Sequence, residues 1–181
     1  MLPLALELRD RDVLVIGLGR VGAHKARQLL EAGARVTVVT TEALAPVPEG
    51  LAGFELRPYR PGDLAGFLLV VSATADEATN DLIVAEARER AVLLNVVDDP
   101  SRCSFYFTSV YRDGDLMVSV SSSGASPSLA QWVRRRIETA LPAGLGRVAT
   151  RLREERRALH AAGESTERDW NGRVEELVAE L

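Results

Sequence analysis

The sequence predicts an α/β fold, in which a parallel β-sheet carries helices on both faces and is followed by a smaller segment with a hairpin and helices. Three observations predict it. Several short runs of apolar, β-branched residues are bounded by glycine or polar residues, as buried strands are. Helical patterns alternate with these runs, which is typical of parallel strands joined by crossover helices. A glycine-rich turn joins the first run to the first helix.

The first elements form a βαβ unit. Asp12 to Gly17 (DVLVIG) reads as a buried strand, and Arg20 to Ala32 has the apolar spacing of a helix. Gly33 is the expected C-terminal cap of that helix. Arg35 to Thr40 (RVTVVT) is the second strand, and the short span of the whole unit implies a right-handed crossover.

Further elements of the same kind follow. Phe54 to Arg57 is a weak strand inside a loop rich in proline and glycine, and Phe67 to Ser72 is a buried strand. Asp76 to Arg90 reads as a helix, and Ala91 to Val97 as another apolar strand. The sequence therefore predicts a Rossmann-like sheet domain over residues 1–110.

The pattern changes after residue 110. Two strands flank the turn at 112–115 as in a β-hairpin, and a serine-rich loop and three helical segments follow. The expected strands are Phe105 to Tyr111 and Leu116 to Ser121, and the expected helices are Ser128 to Leu141, Leu145 to His160 and Thr166 to Leu181. We expect two further segments, over residues 111–141 and 142–181.

Composition excludes several classes of protein. The chain has 181 residues, 46% of them hydrophobic and 27% charged, which indicates a folded globular protein. It has no apolar run of about 18 residues, so no membrane span is expected. Its net charge of −4 gives no reason to expect a nucleic-acid partner. The start lacks the basic region of a secretory signal, and the single Cys103 cannot form an internal disulfide, so we expect a cytoplasmic protein.

The turn that follows the first strand has the pattern G-x-G-x-x-G. In a strand–turn–helix context this pattern predicts dinucleotide binding, because the glycines allow a tight turn and a close approach of the pyrophosphate to the backbone. The N–H groups at the start of the helix then face the phosphates. The alternative is a turn with a structural role only. The expected cofactor contacts are Gly17, Gly19, Arg20, Val21 and Gly22.

Residues at the ends of other strands are expected to complete the cofactor site. Thr40 and Thr41 end the second strand, where an acidic residue often binds the ribose, and the only acid nearby is Glu42. We also assign Thr74, just after the strand at 67–72, to the cofactor site. No arginine follows the second strand until Arg57, which favours NAD over NADP.

Asp98 is the candidate catalytic residue. The segment Asn95-Val96-Val97-Asp98-Asp99-Pro100 lies at the carboxyl end of a parallel strand, where open α/β sheets bind ligands. A carboxylate there can take a proton as a general base. Asp99, which precedes proline, is the expected turn residue. From the residues alone, a helix or turn cap at the strand end is the favoured role for Asp98, and catalysis is the alternative.

Several motifs together resemble the precorrin-2 dehydrogenase family, the dehydrogenase and ferrochelatase part of siroheme synthases. The resemblance covers residues 1 to 160. Its motifs are RDRD before the first strand, the glycine turn with HKAR, EAGARVTV, NVVDDP, CSF, LMVSV and the loop SSSGASP. The pairing of NVVD with the later serine loop is more specific than the glycine turn.

The resemblance implies an NAD-dependent oxidation of precorrin-2 to sirohydrochlorin, on the route to siroheme or cobalamin. Some members also insert ferrous iron into the product. The resemblance further implies a homodimer in which the segment 111–141 builds the interface. Asp98 matches the family's catalytic aspartate, and Ser121 and Ser122 match its loop serines. Ser123 stands where many members have glycine.

The tetrapyrrole substrate carries several carboxylates, so hydroxyl and arginine donors are expected around it. The expected substrate contacts are Ser121, Ser122, Ser123, Ser126 and Arg134. A mobile linker and a solvated helix face are the alternatives for the loop and for the arginine.

No fixed metal site is expected, because the sequence lacks HxH, HxxxH and CxxC patterns. Iron is therefore expected only as a transient substrate, and Cys103 as a packed thiol. The competing function is a non-catalytic nucleotide-sensing Rossmann domain, which would use the glycine turn but neither NVVD nor the serine loop.

Overall fold

The computed structural model describes residues 1–181, which divide into two compact units, Met1–Tyr106 and Phe107–Leu181. The first unit is a five-stranded parallel sheet in the order β3-β2-β1-β4-β5 with two helices. Its elements are β1 (Asp12–Leu18), α1 (Arg20–Glu31), β2 (Arg35–Ala43), β3 (Gly53–Leu56), β4 (Leu69–Ser72), α2 (Glu77–Arg90) and β5 (Leu93–Val96). A short 3₁₀ turn follows at Pro100–Arg102.

The strand order confirms the predicted Rossmann-like sheet. The chain runs outward from β1 through β2 to β3, then returns to place β4 on the other side of β1. Val13 of β1 is therefore in register with Val36 of β2 and with Leu69 of β4. The order of the strands reverses between β1 and β4, which is where ligands of open α/β sheets bind.

The central strand is buried on both faces. Val13, Leu14, Val15 and Ile16 are at most 3% exposed, because α1 and α2 cover the sheet. Fully burying a side chain of this size stabilises the fold by roughly 1.5–3 kcal/mol relative to leaving it exposed. Because neither face of a covered parallel sheet meets water, the strands of this sequence are apolar at nearly every position.

Capping residues set where α1 and α2 begin and end, close to the predicted positions. Asp76 caps α2 by accepting a hydrogen bond from the Thr79 N–H at 2.9 Å. Gly33 follows α1 with φ +81°, and the chain turns there toward β2. Ala91 ends α2 in a left-handed conformation with φ 54°. The ends of both crossover helices are thus fixed by short-range contacts.

The second unit joins a hairpin to three helices. Its elements are β6 (Ser109–Asp113), β7 (Leu116–Val120), α3 (Pro127–Ala140), α4 (Leu145–Ala161) and α5 (Asn171–Ala179). The strands β6 and β7 are antiparallel, and α3 packs against both. Gly146 of α4 approaches the hairpin so closely that a Cβ there would lie 2.3 Å from the Asp113 carbonyl oxygen. Arg173 of α5 bonds Glu155 of α4 at 2.7 Å. None of the five α-helices is long and apolar enough to cross a lipid bilayer.

Two elements begin well after their predicted starts. The strand expected at Phe105 to Tyr111 lies at Ser109–Asp113, because the Phe105 carbonyl is bonded to the Asn95 side chain beside β5. The helix expected at Thr166 to Leu181 starts only at Asn171. There, Ser165 and Asp169 accept hydrogen bonds from backbone N–H groups two residues on, which competes with helix formation.

Candidate active site

The glycine turn lies at the point where the strand order reverses. Gly17 has φ +92°, and a Cβ there would lie 2.8 Å from the Ala73 carbonyl oxygen at the end of β4. A Cβ on Gly22 would lie 2.0 Å from the Gly17 carbonyl oxygen. Around Gly19, in contrast, a Cβ would meet no atom within 4 Å. Two glycines therefore allow close packing, and the third leaves open space in front of the turn.

The first turn of α1 has unpaired backbone donors. Gly19 is the N-cap residue, and no side chain caps the helix there. Both α2 and α3 are capped, by Asp76 and Ser126 respectively. Arg20 and Val21, which begin α1, are exposed. The free N–H groups and the helix dipole favour an anionic group at this end, so the residues present fit a dinucleotide pyrophosphate.

The end of β2 is built around a buried hydroxyl. Thr40 Oγ accepts a hydrogen bond from the Leu18 N–H at 3.1 Å and donates to the Glu42 carbonyl at 2.6 Å. The strand continues to Ala43, beyond the predicted end at residue 40, and Thr41 and Glu42 are exposed. The Thr40 hydroxyl therefore supports the glycine turn, while Thr41 and Glu42 are open to solvent.

Thr74 lies in the turn after β4, against the glycine turn. A Cβ on Gly17 would lie 3.0 Å from the Thr74 nitrogen. The Thr74 carbonyl accepts a hydrogen bond from Asn80 Nδ2 at 3.3 Å, and Asn80 Oδ1 accepts one from Ser72 Oγ at 2.7 Å. The sequence analysis did not identify Asn80. The only indication in the sequence is an amide side chain at a position of α2 that faces the sheet. This buried pair fixes the wall of the crevice.

Asp98 follows β5 at the same edge of the sheet. Its backbone is left-handed, with φ 62°, and the residue is exposed. Its carboxylate makes no hydrogen bond and no ion pair within the protein. β5 lies two strands from β1, which places their ends about 10 Å apart. The structure therefore offers an unpaired carboxylate within a dinucleotide's length of the glycine turn.

Asp99 has a different role. Its carboxylate accepts hydrogen bonds from Ser101 Oγ at 2.6 Å and from the Ser101 N–H at 3.1 Å. Arg102 binds it at 3.1 Å and also binds Glu77 and Asp81 of α2. The Ser101 hydroxyl, with a smaller contribution from Arg102, lowers the pKa of Asp99. Asp99 thus holds the turn, as the sequence predicts, and Arg102 ties that turn to α2.

The serine loop of the second unit is internally bonded. Ser122 Oγ accepts from the Ser126 N–H and donates to its carbonyl, both at 2.9 Å. Ser121 Oγ accepts from the Ser123 N–H at 3.1 Å, and Ser126 caps α3. Ser123 is left-handed, with φ 54°, a conformation that favours glycine. The loop therefore has a defined shape, and the Ser123 hydroxyl is exposed without a partner.

Arg134, on α3, is bonded to Glu138 one turn further along the helix. Its neighbour Arg136 stacks over the ring of Trp132 at 5.1 Å from the ring centre.

The structure brings the glycine turn, Thr40, Thr41, Thr74 and Asp98 to one edge of the first unit. The serine loop and Arg134 form a separate group in the second unit. No three His, Cys, Asp or Glu side chains are grouped closely enough to hold a metal ion.

Comparison with known proteins agrees with this division. Residues 4–109 match the family model described as putative NAD(P)-binding, and residues 113–140 match the model described as the central part of sirohaem biosynthesis proteins. The first match covers more than half of the chain. The second covers β7, the serine loop and the whole of α3.

The curated relatives that match this chain are siroheme synthases. The chain is 45% identical over 150 residues to the siroheme synthase of Ectopseudomonas mendocina, covering 82% of this chain and 32% of that protein. It is 37% identical over 187 residues to the siroheme synthase of Methylococcus capsulatus, covering 99% of this chain and 40% of that protein. The chain thus spans 32% to 40% of the length of these relatives.

A solved structure, that of SirC, precorrin-2 dehydrogenase, has a similar fold. The TM-score is 0.71 at 23% sequence identity, and the match covers 99% of this chain and 88% of the other. At that identity the likeness shows the fold. The match to the first family model, which covers more than half of the chain, shows that the chain belongs to the family of putative NAD(P)-binding proteins, and the relatives that it matches along most of its length are siroheme synthases.

Proposed function

We propose that this chain catalyses the NAD-dependent oxidation of precorrin-2 to sirohydrochlorin in siroheme or cobalamin biosynthesis. One observation carries the proposal. The glycine turn with its uncapped helix and the unpaired Asp98 carboxylate lie at the same edge of one sheet. The reaction removes a hydride and a proton from the reduced macrocycle. A nicotinamide cofactor supplies the hydride acceptor when it is bound.

Asp98 is the proposed general base. A carboxylate without internal partners and exposed at the sheet edge is free to approach a substrate C–H and take its proton. The same carboxylate can accept the protons that pyrrole nitrogens release when ferrous iron enters the ring. Insertion of ferrous iron into the product is therefore a second candidate activity, with iron as a substrate.

The surroundings of β2 favour NAD over NADP. A 2′-phosphate requires a cation at this strand end, where the exposed polar side chains are those of Thr41 and Glu42. Arg57, the next arginine along the chain, is bonded to Glu55 and to Asp63, each at 2.6 Å. We propose that the exposed Thr41 hydroxyl, with Glu42 beside it, faces the ribose.

The serine loop is the proposed substrate site of the second unit. Ser121, Ser122 and Ser126 hold its shape through their mutual hydrogen bonds, and Ser123 offers a free hydroxyl. Arg134 is the proposed partner of a substrate carboxylate, for which it would exchange its bond to Glu138.

We also propose a cytosolic homodimer whose interface includes residues 111–141. Leu129 and Trp132 support the dimer, because they lie on one face of α3 and are 53% and 51% exposed. The lone Cys103 supports the location, since it cannot pair within the chain. Cross-linking and sedimentation test the dimer without reference to activity.

An anaerobic assay with precorrin-2 and NAD tests the proposed reaction. NADH and sirohydrochlorin are expected to form together with the wild type. The Asp98→Ala variant is expected to lose at least about a hundredfold of the rate, while its affinity for NAD stays unchanged. Equal rates for the two proteins would remove Asp98 from the mechanism.

The alternative function gives a different result. A folded wild type that binds NAD and turns over no precorrin-2 would be a nucleotide-sensing domain. Adding ferrous iron to purified sirohydrochlorin, with and without the protein, tests the second activity. Iron insertion that the protein does not accelerate would exclude it.

A further inference from the structure

The segment that carries Asp98 is closed at its base by hydrogen bonds beside β5. The Leu94 N–H donates to Ser104 Oγ at 2.7 Å, and the Ser104 N–H donates to the Leu94 carbonyl at 2.8 Å. The chain thus leaves β5, turns at residues 97–102 and returns to the same strand. Asp98 lies within a closed loop rather than in a free connection.

A sulfur atom lies at the centre of this loop. Cys103 Sγ accepts hydrogen bonds from the Val96 N–H at 3.2 Å and from Asn95 Nδ2 at 3.4 Å. It also lies 3.2 Å from the Val96 carbonyl and 3.2 Å from the Asp99 carbonyl, to which its S–H can donate. Asn95 Nδ2 donates in addition to the Phe105 carbonyl at 3.1 Å. Each sulfur contact is weak, but four of them converge on one atom.

The thiol keeps its proton. Burial raises the pKa of Cys103, and the charge of Asp99 acts in the same direction. A neutral thiol is both a donor and an acceptor, which this arrangement of N–H and carbonyl groups requires. It is also a poor nucleophile, so its place in the site is explained by its contacts rather than by covalent chemistry.

Two residues that contact the sulfur flank Asp98. Val96 lies two residues before it and Asp99 directly after it, and the backbone of both contacts Cys103. Asp98 itself has a left-handed backbone, with φ 62°, which a residue with a Cβ keeps only when surrounding contacts determine it. The Asp99 N–H donates to the Val96 carbonyl at 3.3 Å, which closes a turn around Asp98. Cys103 Sγ contacts the residues at both ends of this turn and is therefore placed to hold the conformation.

We propose that Cys103, oriented by Asn95, is a positioning residue that holds Asp98 in its left-handed conformation and aims its carboxylate out of the sheet edge. This inference rests on the proposed function of Asp98. It assigns a role to two residues of the segment NVVDDPSRC, the asparagine and the cysteine, that do not reach the substrate. The competing explanation is that the two side chains serve only to pack and stabilise the first unit.

The test compares Cys103→Ala and Cys103→Ser in the wild-type and Asp98→Ala backgrounds. Cys103→Ala is expected to lower kcat for precorrin-2 oxidation by about tenfold to a hundredfold, as misplacement of a reacting group does, with KM and NAD affinity little changed. Cys103→Ser, which keeps a donor and an acceptor, is expected to recover part of this loss. In the Asp98→Ala background the same change is expected to have no further effect on the residual rate.

Amide hydrogen exchange measures the loop without any turnover. Cys103→Ala is expected to speed exchange at residues 96–103 by about tenfold or more, and to leave the glycine turn at 17–22 unchanged. Gln28→Ala is a matched control, because it removes a hydrogen-bonding side chain from the far half of α1. It is expected to change neither kcat nor exchange in the loop.

Each other result overturns the inference. Unchanged exchange at residues 96–103 would show that the sulfur does not hold the loop. An equal loss of kcat in both backgrounds would show that Cys103 acts through stability or through another group. If Asp98→Ala alone keeps the wild-type rate, Asp98 is not the base, and the positioning role of Cys103 is wrong as well. This result does not depend on the Cys103 variants.

Discussion

A Cβ on Gly22 would lie 2.0 Å from the carbonyl oxygen of Gly17, which is far inside the contact distance of the two atoms. Helix α1 therefore leaves the glycine turn along a path that only a hydrogen at position 22 permits. Gly19, between them in sequence, has no such neighbour and an ordinary φ of −80°. The glycines of one motif thus meet different demands, one from packing and one from access to the crevice.

The variants Gly22→Ala and Gly19→Ala separate these demands. Gly22→Ala is expected to destabilise the fold by about 3 kcal/mol or more, since the clash is with backbone that cannot move aside. Gly19→Ala is expected to keep the wild-type stability and to weaken NAD binding, because its methyl group enters the space in front of the turn. Urea unfolding and NAD titration of both variants check this. Equal stability of the two variants would contradict the packing argument.

Thr40→Val tests the buried hydroxyl at the end of β2. The change leaves the Leu18 N–H without its partner, and an unsatisfied buried donor costs about 1–3 kcal/mol. Thr41→Val is the matched control, because Thr41 is exposed and is expected to change stability little. Thermal unfolding of both variants measures the difference. If the melting temperatures fall equally, the hydroxyl of Thr40 is not what supports the turn.

Glu86 of α2 is a buried carboxylate outside the site. It accepts hydrogen bonds from the Tyr59 hydroxyl, from the Gly62 N–H at 2.8 Å and from the Leu64 N–H at 3.2 Å, and Arg90 binds it at 2.7 Å. Burial acts to raise its pKa, but these donors outweigh burial and hold the pKa below the usual 4.5.

This arrangement predicts how stability depends on pH. Because the pKa of Glu86 is lowered in the folded state, its ionised form stabilises the fold above pH 4.5, and this contribution is lost as the pH falls further. Glu86→Gln is expected to cost about 1–3 kcal/mol at neutral pH and to flatten the acid limb of the stability profile. The control is Glu89→Gln, on the exposed face of the same helix. An unchanged acid limb in Glu86→Gln would contradict this prediction.

Ser123→Gly tests the shape of the serine loop. A residue with a Cβ pays roughly 1–2 kcal/mol for a left-handed backbone, so glycine at this position is expected to raise stability by about 1 kcal/mol. Ala125→Gly, at a position without positive φ, is expected to lower it slightly. Differential scanning calorimetry of the two variants checks the sign of each change. A destabilised Ser123→Gly would show that the loop does not hold this conformation in solution.

The sheet and the glycine turn could be predicted because their signals are local. A covered parallel strand has to be apolar at nearly every position, and Val13 to Ile16 is such a run. The pattern G-x-G-x-x-G between a strand and a helix gave the position of the turn. The turn role of Asp99 could be predicted from the proline that follows it.

The remaining features depend on contacts between distant residues. The extension of β2 to Ala43 follows from its pairing with Leu18 and from the Thr40 hydroxyl, neither of which a strand pattern reveals. The left-handed backbone of Asp98 could not be predicted from the residue type, because aspartate tolerates this conformation without requiring it. Asn80 and Asn95 become recognisable as partners only when the strands beside them are in place.

The closed loop at β5 also changes what the sheet offers to other chains. It covers the outer edge of β5 near Leu94, so a foreign strand cannot add there. The opposite edge, β3, pairs only with β2 and exposes 65% of Leu56. There the strand is four residues long, carries the charge of Glu55 and is followed by Pro58, which lacks an N–H to donate. Aggregation by strand addition is therefore blocked by hydrogen bonding on one side of the sheet and by shortness, charge and proline on the other.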